Sequence, residues 1–480
     1  MAVLAAGAGP GVSSPSAGPV ARSSVTRVGV ATALSALCGF VVMYLAARAL
    51  EPAGFSLFGV FWGAFGLVTG AANGLLQQST REVRLALGGV ASPSPLAPPS
   101  PLEPPSPPEG KGVSARPALS DKSTTSDDLA VECASRSTNP PILRSAGTLD
   151  AGPGVVTHPM RMAVGIGLVA AAALVLSALW WGPHVFISQT RLSVLLLAVG
   201  LACFCLHATL LGMLAGDNRW GQYGALMVTD AGIRVAVAVT SMIVGWGLGG
   251  FLWATVAGSV AWLLMLLLSP TTRHAAGLVA RERPSSFLRG AGHAVAAAGA
   301  SAVLVMGFPV LLQATSGELG AAGGVLILAV TATRAPLLVP LTAMQGNLIA
   351  HFVDSRGHRL RALAKPVALI GSIGAVGVVL AYFFGPWLLR VGFGAEYIAS
   401  GALLSVLTVG AVSMAVLTIT GAATVAAALH RAYSLGWVGA TVAATGLLLL
   451  PLELEQRTAI ALIFGPLVGI SVHLSALSRA

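Results

Sequence analysis

The sequence predicts an all-α polytopic membrane protein, with about twelve transmembrane helices in two six-helix lobes related by a pseudo-two-fold axis along the membrane normal. Of its 480 residues, 55% are hydrophobic and 9% are charged, whereas soluble domains carry roughly 25% charged residues. The apolar runs are about 20 residues long, which is the length that a helix needs to cross a bilayer. Short motifs recur in the same order in the two halves of the chain.

Twelve apolar runs are candidate spans, and each is long enough to cross a membrane as a helix. They cover residues 28–50, 55–78, 161–181, 192–215, 222–244, 247–269, 288–313, 320–350, 366–389, 399–429, 433–451 and 458–478. The first two are separated by residues 51–54, where Pro52 cannot continue a helix and Gly54 tolerates the dihedral angles of a turn. The first two spans are therefore predicted to form a hairpin.

The composition also predicts the limits of the lobes. Residues 91–110 read ASPSPLAPPSPLEPPSPPEG, which is too rich in proline for a helix or a packed core, so this region is predicted to be a disordered linker. The predicted organisation is a disordered cytoplasmic tail (1–27), an N-terminal lobe (28–269) interrupted by a Pro-rich cytoplasmic linker (85–159), an inter-lobe cytoplasmic loop (270–287) and a C-terminal lobe (288–480).

The basic residues predict the orientation of the chain. Its formal charge of +10 does not indicate nucleic-acid binding, because the Arg residues lie between apolar spans and Lys and Arg are retained on the cytoplasmic side. With the N-terminus inside, the inward segments hold Arg22, Arg27, Arg81, Arg84, Arg161, Arg219, Arg273, Arg281, Arg283, Arg289, Arg356, Arg359, Arg361, Lys365, Arg431 and Arg479. The outward segments hold only Arg48, Arg191, Arg390 and Arg457. We expect both termini in the cytoplasm of a bacterial cell.

An internal repeat links the two halves. Trp181-Gly182-Pro183 matches Phe384-Gly385-Pro386, and the spans that follow open on Ser193-Val194-Leu195 and Ser405-Val406-Leu407. Arg219 with Gly224 likewise matches Arg431 with Gly436. Three ordered matches at similar offsets indicate two halves in the same orientation, with a cavity between two bundles. This is the geometry of an alternating-access transporter.

The sequence contains no motif for catalysis or for a cofactor. It has no phosphate-binding Gly-rich loop, no nucleophile elbow and no His or Cys cluster at metal-ligand spacing, and its four cysteines are scattered. The predicted spans 28–50, 55–78 and 161–181 hold no carboxylate. We therefore expect neither an ATP-driven pump nor an enzyme, and no cofactor.

Charged side chains deep in the apolar spans are the candidate functional residues, because a charge at that depth is costly unless it faces a cavity or a partner. Asp230 and Arg234 lie four residues apart on one helix face, so they form either a structural ion pair or a functional site. Arg334 has no acidic neighbour within one turn. We predict that it lines the cavity and binds an anionic, phosphate-bearing substrate.

Uncharged polar side chains give weaker predictions. Asn73, Gln77 and Arg81 share one face of the second span and are expected to face protein or water. Together with Gln345 and Asn347, Asn73 and Gln77 could bind sugar hydroxyls or form hydrogen bonds between helices, and the sequence leaves both open. Each of the histidines His207, His293 and His473 is predicted to be a packed polar group rather than a proton carrier.

Several segments resemble a known family. LARALEPAGFSLFGVFW (45–62), GLLQQSTREVR (74–84), ATRAPLLVPLTAMQGNLI (332–349) and the Gly-x-x-Tyr loop of VGFGAEYIASGALLSVLTVGA (391–411) resemble bacterial polysaccharide-biosynthesis flippases of the O-antigen and capsule type. These belong to the multidrug/oligosaccharidyl-lipid/polysaccharide exporter superfamily. The resemblance covers all twelve spans and omits residues 91–159, and the long Pro-rich insertion departs from the family pattern.

The resemblance implies a plasma-membrane protein that moves a lipid-linked saccharide between leaflets, with Arg334 and Arg234 in a cationic cavity. It also implies coupling to H⁺ or Na⁺ and possible partnership with glycosyltransferases or a polymerase. Two alternatives stay open. One is a cation-coupled multidrug exporter of the same superfamily, with Asp230 as the ion-coupling residue. The other is a non-transporting membrane scaffold whose linker recruits partners.

Overall fold

The computed structural model describes residues 22–88, 156–355 and 359–479. Within these ranges the chain is helical and has no strand, apart from one isolated bridge between Thr157 and Ala280. Most of the predicted tail and linker, and Arg356, lie outside the described residues. The predicted fold class is confirmed.

Fifteen α-helices and one short 3₁₀ segment make up the described part of the chain. They are α1 (Arg22–Gly88), α2 (Pro159–Val185), α3 (Thr190–Gly216), α4 (Trp220–Val244), α5 (Gly247–Ala257), the 3₁₀ segment (Gly258–Val260), α6 (Ala261–Leu268), α7 (Pro270–Ala276), α8 (Pro284–Val305), α9 (Phe308–Ser316), α10 (Gly320–Ala343), α11 (Gln345–Asp354), α12 (Arg359–Phe393), α13 (Gly401–Ala426), α14 (His430–Leu448) and α15 (Leu454–Ser478). Ten helices of the described chain are long and apolar enough to cross a membrane. Since α1 contains two spans and α14 supplies another, the order of the helices matches the twelve predicted spans.

The predicted hairpin is present, and its turn is shorter than expected. Helix α1 breaks at the single residue Glu51 (φ 55°, ψ 172°) and resumes at Pro52. Its second arm then continues to Gly88, beyond the predicted end at residue 78 and into the predicted linker. This extension brings Glu82, which is 6% exposed, into the helix.

Three other predicted spans are interrupted by breaks in their helices. The sixth contains the 3₁₀ segment, the seventh breaks at Met306 and Gly307 between α8 and α9, and the eighth breaks at Met344 between α10 and α11. The predicted inter-lobe loop contains the short helix α7, whose first turn is capped because Ser269 Oγ accepts a hydrogen bond from the amide of Thr272. These breaks explain why some predicted spans were longer than a bilayer requires.

The internal repeat is present in the backbone. After α3, Asn218 has φ 58° and the amide of Arg219 donates to the carbonyl of Leu214. After α13, Ala428 has φ 60° and the amide of Leu429 donates to the carbonyl of Thr424. Both pairs of equivalent residues are 210 positions apart, so the true register at this turn differs by two residues from the match between Arg219 and Arg431.

The helical bundle has two ends, which we call the terminal face and the loop face. The terminal face holds Gly88, Pro159, Leu268, Pro284 and Ser478, and the loop face holds Glu51, Gln189, Gly245, Gly317 and Gly394. Arg84 Nη2 donates to Ala215 O at 3.4 Å at the terminal face, and Tyr397 Oη donates to Ala47 O at 2.9 Å at the loop face. Successive spans run in opposite directions, which assigns each helix end to one face. In both contacts, the two segments that meet are assigned to the same face.

The second arm of α1 is the main contact between the lobes. Its glycines allow close approach: a Cβ at Gly70 would lie 2.7 Å from Ala302 Cβ of α8, and one at Gly74 would lie 2.3 Å from the backbone nitrogen of Val295. At the loop face, Gly324 of α10 packs directly on the carbonyl of Pro52. Small residues permit such backbone proximity in membrane helices.

Candidate functional site

A cleft of about 600 Å³ separates the first arm of α1 from α10. Phe40, Met43 and Tyr44 line one wall, and residues on one side of α10, including Ala335 and Val339, line the other. Towards the loop face the cleft ends where the rings of Tyr44 and Phe393 meet at a centroid distance of 5.9 Å. Towards the terminal face, the first arm exposes Val30, Leu34 and Leu37. Val339 and Pro340, which also line the cleft, lie in the terminal-face half of α10.

The loop face is closed by aromatic packing and one buried hydrogen bond. Tyr397 is 2% exposed, and its ring meets Phe55 edge-on at 6.1 Å. Burial raises the pKa of Tyr397, with a further contribution from the carboxylates of Glu396 and Glu51. The hydroxyl therefore stays protonated and donates to Ala47, which joins the second lobe to the first.

A second apolar groove, of about 510 Å³, lies between α10, α12 and α13. Ala332, Pro336 and Phe393 line both this groove and the cleft, so the two spaces adjoin along α10. Pro336 has no amide hydrogen, so the carbonyl of Ala332 loses its usual donor in the helix. Helix α10 is thus a partly weakened element between two apolar spaces.

Arg334 lies on α10, and its buried guanidinium has no counterion among the described residues. The residue is 7% exposed, and Nε and Nη2 have no hydrogen-bond partner among the described residues. The guanidinium carbon lies 5.0 Å from the centroid of the Phe308 ring of α9, a cation–π contact. Neither the cleft nor the second groove is lined by Arg334, although Thr333 and Ala335 line one or the other. That Arg334 lines a substrate cavity stays a prediction.

Asp230 and Arg234 form the ion pair that their spacing permits. Arg234 Nη2 lies 3.0 Å from Asp230 Oδ1, and the two side chains are 18% (Asp230) and 13% (Arg234) exposed. Arg234 Nη1 also donates to the carbonyl of Thr255, and its guanidinium lies 5.2 Å from the Phe65 ring. A Cβ at Gly258 would lie 2.3 Å from Asp230 Oδ1, so the glycine makes room for the pair beside the 3₁₀ segment. The pair ties α4 to the helix that follows it.

His207 of α3 lies close to Asp230 and Arg234 of α4. The sequence did not indicate this proximity, because His207 belongs to a different predicted span. It is 2% exposed, it stacks on Phe204 at 5.3 Å, and its Nδ1 has no hydrogen-bond partner among the described residues. Asp230 and Arg234 are the charged groups close enough to influence it. The first lobe therefore holds a buried group of one carboxylate, one guanidinium and one imidazole.

The four predicted amides do not join Arg334 in one site. Asn73 is partly exposed and Gln77 is exposed, both on the second arm of α1, and neither forms a side-chain hydrogen bond with the described residues. Gln345 is partly exposed and Asn347 is exposed, both on α11 beyond the break at Met344. All four lie in terminal-face segments.

Sequence reasoning missed a polar contact in the second arm of α1. Gln78 Nε2 donates to Glu82 Oε1 at 3.2 Å, and a Cβ at Gly290 of α8 would lie 2.5 Å from Gln78 Nε2. Glu282 lies near enough to repel Glu82. The apolar length of the second span gave no sign that the helix would carry Glu82 into a buried position. Across residues 22–88, 156–355 and 359–479, no three His, Cys, Asp or Glu side chains are grouped so that they could hold a metal ion.

A search against protein-family models gives no match. Among known proteins, the chain is 57% identical over 470 residues to the uncharacterized protein Rv3630 of Mycobacterium tuberculosis and to the uncharacterized protein Mb3654 of Mycobacterium bovis, covering 98% of this chain and 95% of each relative. It is 54% identical over 462 residues to the uncharacterized protein Rv1510 of M. tuberculosis, covering 96% of this chain and 93% of that relative.

Solved structures with a similar fold are transporters. An inward-facing MATE family transporter of the MOP superfamily superposes with a TM-score of 0.62 at 14% identity, covering 95% of this chain and 98% of that one. An outward-facing MATE transporter and a MOP superfamily transporter from Pyrococcus furiosus each give a TM-score of 0.54 at 13% identity, covering 95% of this chain and 96% of theirs. The chain therefore belongs to the family of these mycobacterial proteins, and its twelve helices in two lobes have the fold of the MATE transporters of the MOP superfamily.

Proposed function

We propose that the chain is an alternating-access transporter that flips a lipid-linked oligosaccharide or polysaccharide precursor across the bacterial plasma membrane. The observation that carries this proposal is the buried guanidinium of Arg334, which has no carboxylate partner among the described residues. A buried cation without a counterion is costly, and such groups in membrane spans are associated with substrate pathways. An anionic head group would supply the missing partner.

The arrangement of the lobes supports alternating access. Contacts at Tyr397 and Gly324 close the loop face, whereas the cleft beside α10 extends along that helix to Pro340, in its terminal-face half. Solved structures of the same fold are described as inward-facing and as outward-facing. In our proposal the chain alternates in the same way, with the second arm of α1 as the pivot.

The chemistry of the site supports a lipid-linked phosphate. Guanidinium binds phosphate oxygens through two parallel hydrogen bonds. Thr333 and Ala335, the neighbours of Arg334, line apolar spaces on either side of α10. These spaces suit the hydrocarbon tail of a lipid-linked substrate. Bending of α10 at Pro336 would carry Arg334 into the cleft, where the phosphate would meet it. Arg234, Asn73, Gln77, Gln345 and Asn347 stay predicted contacts to the head group.

The proposed orientation has the terminal face in the cytoplasm. The described cations of the terminal face are Arg27, Arg81, Arg84, Arg161, Arg219, Arg273, Arg281, Arg283, Arg289, Arg361, Lys365, Arg431 and Arg479, against Arg48, Arg191, Arg390 and Arg457 at the loop face. Such a bias sets the orientation of membrane proteins. The substrate would then enter from the inner leaflet, and a glycosyltransferase or polymerase would be a fitting partner.

The alternative functions receive less support. A cation-coupled drug exporter needs a carboxylate that can take up H⁺ or Na⁺, and the carboxylate of Asp230 is held by Arg234 at 3.0 Å. Asp230 stays a proposed ion-coupling residue only if that pair opens during transport. A scaffold would depend on the linker, so deletion of residues 91–159 should abolish its activity and should leave a transporter largely active.

The proposal is tested in liposomes that contain the purified chain and a fluorescent polyprenyl-diphosphate-linked sugar, with membrane-impermeant dithionite reporting movement to the outer leaflet. We expect Arg334→Gln to slow translocation more than tenfold, Arg334→Lys to retain part of the rate, and the exposed Arg390→Gln to leave it unchanged. A wild-type rate in Arg334→Gln, or no protein-dependent movement of the probe, would contradict the proposal.

A further inference from the structure

A second buried histidine lies inside the C-terminal lobe, outside the site described above. His473 of α15 is fully buried (0% exposed), and the adjacent Thr420 of α13 is 1% exposed. The imidazole Nδ1 lies 3.0 Å from Thr420 Oγ1, and Nε2 lies 3.3 Å from the carbonyl oxygen of Tyr433 on α14. A Cβ at Gly436 would lie 2.2 Å from Nε2, so the imidazole occupies space that the glycine leaves open.

The hydrogen bonds around His473 suit both protonation states. The carbonyl of Tyr433 can only accept, so Nε2 carries a hydrogen in either state. When the hydroxyl of Thr420 donates to Nδ1, the imidazole is neutral. The same hydroxyl also lies 3.0 Å from the carbonyl of Leu417, and when it donates there, its oxygen can accept from a protonated Nδ1. The two states differ by the rotation of one hydroxyl hydrogen.

The residues around His473 contain few groups that could compensate a charge on its imidazole. The elements packed against the imidazole contribute Thr420 and Gly421 from α13 and Tyr433, Gly436 and Trp437 from α14. Of these, only Tyr433 is titratable. No carboxylate, Lys or Arg among the described residues influences His473. Uptake of a proton therefore places an uncompensated charge in a buried position, beside the Tyr433 ring, whose centroid lies 6.3 Å from that of the imidazole.

One side chain connects this histidine to the contact between the lobes. The hydroxyl of Tyr433 interacts with Ser301 of α8. The next residue of α8, Ala302, is the one that packs on Gly70 in the second arm of α1. A shift of α14 that relieves the charge on His473 would therefore reach α8 through Tyr433, and α8 packs on the second arm of α1.

We propose that His473 is a proton-binding site of the C-terminal lobe, separate from Asp230, and that its protonation changes the packing of α14 on α8 and so the contact between the lobes. This inference goes beyond the proposed transport of a lipid-linked saccharide, because it requires only protons as the ligand. It also differs from the sequence-based interpretation of His473 as a packed polar group.

The direct test follows the protonation of His473 by NMR of the purified full chain with ¹³C-labelled histidine. We expect one imidazole resonance, absent in His473→Gln, to titrate between about pH 5 and pH 8. Thr420→Val keeps the histidine and removes the acceptor for Nδ1, so its proton affinity should fall about tenfold, a shift of one pH unit. Thr424→Val, which alters another buried threonine of α13, should shift nothing. A resonance that stays neutral throughout, or that is indifferent to Thr420→Val, would overturn the proposal.

The second test measures the effect on the lobes by electron spin resonance, with spin labels at the exposed residues Leu85 and Leu360 in a background without native cysteines. We expect the distance distribution to change between pH 8 and pH 5, as His titration over this range predicts, and Asp230→Asn to keep that change. Loss of the change in Thr420→Val at the same pH values would support the proposal. An identical response in wild type, His473→Gln and Thr420→Val would overturn the link to the lobes.

Discussion

Arg234 of the first lobe and Arg334 of the second both lie within predicted membrane spans, yet their surroundings differ in kind. Arg234 lies 3.0 Å from a carboxylate, donates to a backbone carbonyl and sits over a phenylalanine ring. Arg334 has only the ring, and two of its nitrogens are buried without partners among the described residues. The first guanidinium is satisfied by the protein, whereas the second has no counterion among the described residues.

Under the proposed function, this difference separates a structural charge, Arg234, from a substrate-binding one, Arg334. Breaking a buried pair by removing one partner is strongly destabilising, because a charge is left without compensation. A buried charge that already lacks a partner destabilises the native state before any mutation is made. The two arginines should therefore respond in opposite ways to mutation, and stability measurements can distinguish them without knowledge of the substrate.

The largest expected effect on stability is that of Asp230→Asn. It leaves Arg234, 13% exposed, without its counterion, and we expect a loss of about 3 kcal/mol, read from thermal unfolding in detergent. The double variant Asp230→Asn with Arg234→Met should recover most of that loss. As a control, Asp217→Asn removes the partner of Arg219, which is 44% exposed, and should cost under about 1 kcal/mol. Equal losses in Asp230→Asn and Asp217→Asn would refute the structural role of the first pair.

Tyr397→Phe tests the contact that closes the loop face. It removes the hydrogen bond to Ala47 between the lobes, and we expect a loss of about 1 kcal/mol. Because the pKa of Tyr397 is raised, its contribution is complete below about pH 10 and is lost as pH rises through the raised value. The difference in the free energy of unfolding between wild type and Tyr397→Phe should therefore disappear at alkaline pH, as measured by unfolding at a series of pH values. A constant difference at all pH values would contradict this assignment.

The fold could be predicted because hydropathy and helix length are averages over many residues. The break beside Pro52 and the existence of the internal repeat also follow from local chemistry. The register of the repeat did not follow, because Arg219 and Arg431 are similar residues at positions that are not equivalent in the backbone. Sequence similarity at two or three positions cannot distinguish offsets of 210 and 212.

The candidate site was harder to predict than the fold. The spacing of Asp230 and Arg234 indicated a possible ion pair, because residues four apart on a helix must be neighbours. The direction of Arg334 could not be derived, since α10 is apolar on nearly every side and its sequence offers no polar face. The contacts of Gln78 and His473 could not be predicted for a different reason: they depend on glycines of other helices, Gly290 and Gly436, which sequence distance does not reveal.

Arg334→Gln has the smallest expected effect on stability and gives the sharpest contrast with Asp230→Asn. Since Nε and Nη2 lack partners, neutralising the side chain removes a buried charge and no hydrogen bond from these two atoms. The midpoint of thermal unfolding should stay equal or rise. Arg457→Gln is the matched control, because Arg457 donates to Thr315 O at 3.3 Å and to Leu448 O at 3.0 Å, and it should lose about 1 kcal/mol. A clear loss of stability in Arg334→Gln would mean that the protein itself satisfies this guanidinium, and the argument for an anionic substrate would then fail.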